Sequence, residues 1–172
     1  FKPYHILEKD GARIAFIGLS QSARSNSIIN KNFIEEGNRY ISELKSSVDI
    51  IVMLVNVLDE NLIDLSKSFN NADYIFLSGS TKRTEPRSKQ LGSGALVYGG
   101  GIQGKHLSIL DIRIKAPNEA IIDVSAPFNR LQEIDYRLNR LQAKDPSIRL
   151  EELYANQPNV LSLIEKYQKE AT

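Results

Sequence analysis

The chain has 172 residues, 41% hydrophobic and 25% charged, the make-up of about one globular domain. Its 22 Lys and Arg against 21 Asp and Glu leave a net charge of +1, so there is no global basic field to draw in nucleic acid. Cys is absent and His occurs twice, which excludes disulfides, thiolate metal sites, Cys nucleophiles and covalent haem attachment within this chain, and leaves little imidazole for metal or acid–base chemistry.

Phe1 to Lys9 reads as a strand, Asp10-Gly11 as a turn, and Ala12 to Leu19 as a second strand. No signal-peptide pattern precedes them, so the chain reads as starting inside a longer polypeptide. Ser20 to Asn30 is a polar loop. Phe33, Ile34, Gly37, Ile41 and Leu44 share a helical face, which predicts an amphipathic helix over roughly Asn32 to Ser46. Val48 to Val55 is a buried strand. Its core, Ile50 to Val55, is the longest strongly apolar run and far too short to span a membrane. Asp59 to Phe69 is predicted as a helix capped by Asp59, Tyr74 to Leu77 as a strand, and Ser78 to Gly94 as a long polar loop. Ala95 to Tyr98, His106 to Lys115 and Ala120 to Val124 read as strands, with a Pro117-Asn118 turn between the last two. Beyond Pro127 only helical spacing remains, at Leu131–Leu141, Leu150–Tyr154 and Val160–Tyr167. This order predicts an α/β domain over 1–126 and a helical appendage or linker over 127–172. The α/β part would be a mixed sheet or two packed sheets with helices outside.

Gly99 to Gly104 satisfies G-x-G-x-x-G, but it precedes a predicted strand where a dinucleotide site needs a helix, so it reads as a tight loop. His5 and His106 fall in strand-like segments with no nucleophile elbow, and read as ordinary strand residues. The loop Thr81 to Lys89 is locally basic. Lys82, Arg83, Arg87 and Lys89 follow the carboxyl end of a strand, where an anion or an acidic partner can bind. The helix Leu131–Leu141 has an apolar stripe for its own sheet or for a partner.

Taken together, the strands resemble a family. Lys2 to Gly11 followed by Arg13 to Leu19 is similar to the mid-domain hairpin of the 5′-nucleotidases, members of the calcineurin-like metallophosphoesterases. Val48 to Leu54 and Asp73 to Gly79 resemble the next two strands, and Gly100-Gly101, Gly104 to Leu107 and Leu110 to Ile112 resemble the closing ones. The resemblance spans about residues 1–124. It implies the C-terminal half of a layered β-sandwich flanked by helices.

In that family two cations about 4 Å apart polarise a phosphoester and activate a bridging hydroxide. The first ligand motifs, D-x-H, G-D and G-N-H-[DE], would precede Phe1. The later ones, L-S-H and G-H-x-H, align with Leu54-Val55-Asn56 and Gly79-Ser80-Thr81-Lys82. Asn56, Ser80 and Lys82 therefore stand where three imidazoles belong. The Asn56 amide could still offer a carbonyl oxygen to a hard cation, but the Ser80 hydroxyl is a poor ligand for a borderline metal and a protonated lysine cannot ligate. The resemblance thus implies a retained scaffold with erased metal chemistry. Such a domain would be catalytically inactive, without a cofactor, and would bind another domain of the same polypeptide or another protein subunit. Lys82, with Arg83, would replace the metal charge. The resemblance implies the periplasm or the cell surface, while the balanced charge and the short apolar run argue against nucleic-acid binding and membrane insertion by this segment. Two alternatives remain. One is a phosphohydrolase whose upstream half holds a divalent metal pair. The other is a scaffold joined to a c-type cytochrome module.

Overall fold

The computed structural model describes residues 2–21, 31–58, 64–85, 94–114 and 121–171. The chain divides into two compact units, Phe1–Asp123 and Val124–Thr172.

The first unit is α/β and holds one five-stranded mixed sheet. β1 (Tyr4–Lys9) and β2 (Ala12–Ser20) form an antiparallel hairpin through Asp10-Gly11, both with positive φ (52° and 82°), the backbone a two-residue turn of matching twist needs. α1 (Phe33–Leu44) follows, then β3 (Ile50–Asn56), α2 (Leu65–Ser68), β4 (Tyr74–Ser78) and β5 (Leu96–Gly99). The sheet order is β1-β2-β3-β4-β5, and β2 to β5 run parallel.

Two aspartates set the parallel register. Asp49 takes the Arg13 N–H on its carboxylate at 2.7 Å and donates its own N–H to the Arg13 carbonyl at 2.8 Å. Asp73 does the same to Ile51, at 2.7 and 3.0 Å. Each clamps the start of one strand to its neighbour, and a slip of one residue would turn the whole apolar set to the other face.

Crossovers between adjacent parallel strands are right-handed, so strands added always on the same side carry their helices on the same face. Both helices accordingly cover one face. Ile41 and Leu44 of α1 and Leu65 and Phe69 at α2 pack with Ala15, Ile17, Ile51, Met53, Val55 and Ile75. Asn32 caps α1, its side-chain oxygen accepting from Ile34 and Glu35 N–H, which places the helix start at the predicted residue. α2 is shorter than expected. Among the described residues it begins at Leu65, and Asp64 accepts the Lys67 N–H as its cap; the expected cap, Asp59, lies outside the described residues.

The other face carries Ile14, Phe16, Ile50, Val52, Tyr74, Phe76, Leu96 and Tyr98, with Leu110 and Ile121 packed on it. The strands expected at His106–Lys115 and Ala120–Val124 do not form among the described residues, and neither does the second sheet of a sandwich. Alternation alone does not make a strand; a ladder needs a neighbour. No described strand lies alongside 105–114, and its Leu107 is 87% exposed.

The second unit is helical: α3 (Ser125–Gln142), α4 (Leu150–Leu153) and α5 (Pro158–Ala171). Pro127 sits in the first turn of α3, where proline is tolerated, so the helix begins before it and not after. Leu138 and Leu141 of α3 pack with Leu150, Tyr154 and Ile164, so the predicted apolar stripe serves this unit's own core. Arg130 grips the Glu170 carboxylate with two nitrogens, at 2.6 and 2.9 Å, and also pairs with Glu133. Among the described residues, no helix is long and apolar enough to cross a membrane.

Candidate functional site

Sites in α/β sheets lie beyond the carboxyl ends of parallel strands. Here those ends bring Ser20, Asn56 and Ser78 into one row, paired in register across β2, β3 and β4. Asn56 donates its amide N–H to the Ser78 hydroxyl at 3.1 Å, and its backbone carbonyl accepts the Gln21 N–H at 3.0 Å. Gly79 then turns with φ of 81°. A Cβ there would stand 3.1 Å from the Val57 carbonyl and 3.2 Å from the Asn56 amide nitrogen, so the turn needs glycine on both counts.

Ser80 is 6% exposed, and its hydroxyl accepts the Lys82 N–H at 3.1 Å. From Lys82 the chain doubles back along the end of β5. The Arg83–Gly100 bridge, the Thr84 N–H to the Gly99 carbonyl and the Gly99 N–H to the Thr84 hydroxyl, both 3.0 Å, fix this return. The Lys82 carbonyl lies so near Gly99 that a Cβ there would be 2.4 Å away. The Lys82 side chain is exposed and makes no hydrogen bond or ion pair among the described residues.

The structure therefore clusters Asn56 with Ser78 and Gly79 and holds Ser80 and Lys82 on the adjoining loop. Ser20 and Ser78 complete the row and were not expected, because only pairing in register reveals them. Arg83 is not a free cation. Glu85 lies 2.6 Å from its guanidinium, and the His106 ring 3.0 Å. His106 stands in irregular chain and not in a strand, while His5 is in β1. Arg87 and Lys89 lie outside the described residues.

The described residues at these strand ends do not fit a pair of cations. They offer one amide oxygen at Asn56 and the hydroxyls of Ser20, Ser78 and Ser80, beside an ammonium at Lys82, with no imidazole or carboxylate in the row. Borderline metals need the latter donors. The glycine cluster does not fit a dinucleotide either. Gly101, Gln103 and Gly104 have positive φ, and no helix follows through Ile114 to receive a phosphate.

Beside the row lies an aromatic surface. Phe76 and Tyr98 stack at 5.8 Å, and Tyr98 donates its hydroxyl to Asp123 at 3.0 Å. Burial pushes the Tyr74 hydroxyl up to about 12, and burial with the Asp123 carboxylate raises Tyr98 as well, so both stay neutral donors at physiological pH.

No protein-family model matches the chain, and no curated protein does. The crystal structure of a hypothetical protein from Thermus thermophilus is similar over 63% of this chain, with 17% identity and a TM-score of 0.47; the chain spans 42% of that protein's length.

Proposed function

We propose that the first unit is the C-terminal half of a metallophosphoesterase-like domain that has kept its scaffold and lost its hydrolytic chemistry, and that it works by binding another domain of the same polypeptide or another subunit, outside the cytoplasm. One observation supports this above the rest: where that family has imidazole ligands, the strand ends carry Asn56, Ser80 and Lys82, and the row beside them is amide and hydroxyl only. Asn56 spends its N–H on Ser78, and Ser80 spends an oxygen lone pair on the Lys82 backbone, so each serves the loop's own architecture. Lys82 brings a fixed positive charge to a place where a metal once gave one, and it suits a carboxylate on the partner. Exposed as it is, such a pair steers association more than it adds affinity.

The test is metal content and phosphoesterase turnover measured together on the purified full-length protein. Elemental analysis comes first, then hydrolysis of an aryl phosphate and of a nucleoside monophosphate with added Mn²⁺. The expected result is no stoichiometric metal and no turnover. Bound metal with turnover would overturn the reading and make the protein a phosphohydrolase.

A further inference from the structure

We draw no further inference here: the strongest candidate, the apolar sheet face opposite α1 and α2, where Leu54 on the central strand is 45% exposed beside the open space above Gly18, carries nothing because nothing in the structure shows what covers it.

Discussion

Gly37→Ala sets two ordinary effects against each other, and the structure decides the sign. Gly37 lies on the buried side of α1. A Cβ there would stand 2.6 Å from Phe69 Cε1, 2.7 Å from Leu19 Cδ1 and 3.3 Å from Met53 Cε. Carbon atoms in contact prefer about 3.5–4.0 Å, so the first two overlap by roughly 1 Å. Phe69 and Met53 are both fully buried, so neither can swing out into solvent to make room. Exchanging an interior helical Gly for Ala ordinarily gains about 1 kcal/mol. Forcing a methyl into a filled core costs about 1–3 kcal/mol. With two contacts this close the cost falls in the upper part of that range, so packing should win, for a net loss of up to about 2 kcal/mol. Urea titration would measure it, combined with hydrogen exchange at the Met53 and Val55 amides, which report on the sheet and not on the helical unit. Phe69→Leu in the same chain relieves the nearest contact, so the pair should cost less than the sum of the singles. A midpoint raised by Gly37→Ala would refute the reasoning, because α1 would then not press on the sheet this closely.

Two further outcomes are expected. Asp73→Ala removes the acceptor of the Ile51 N–H and should cost about 1–3 kcal/mol, while Asp73→Asn keeps an acceptor and should cost less; urea titration and exchange at Ile51 distinguish them, and equal losses would contradict the clamp. In the helical unit, Arg130 holds the Glu170 and Glu133 carboxyls below the usual range, with Arg137 adding to the effect on Glu133. A depressed folded pKa contributes stability that is present above the unfolded carboxylate value, about 4.3, and is lost as pH falls through the lower folded one. Thermal melts of the helical signal from pH 7 to pH 2 should therefore fall at the acid end, and Glu170→Gln should flatten that fall; an identical profile for the variant would show that the ion pair carries none of it.

Much of the fold was legible because burial writes itself into spacing. The apolar run Ile50 to Val55 and the helical stripe from Phe33 to Leu44 name their elements without help from the rest of the chain. The helices after Val124 are readable for the same reason. The segment from His106 to Ile114 misleads because alternation records which residues avoid water, not whether a neighbour offers hydrogen bonds. The strand-end row was half legible. Asn56, Ser80 and Lys82 stand out against a motif, but Ser20 and Ser78 join them only through register, which depends on contacts distant in sequence. Asp49 and Asp73 escaped notice for that reason too: each caps the adjacent strand and not its own.

The consecutive strand order also governs what kind of ligand chemistry the sheet edge can host. In sheets whose winding reverses, neighbouring connections leave toward opposite faces, and the crevice between them receives a nucleotide or cofactor. From β2 to β5 the order never reverses, so the winding of the described strands sets up no such crevice. What that edge presents in register is the row of Ser20, Asn56 and Ser78, amide and hydroxyl groups in place of a crevice set by winding.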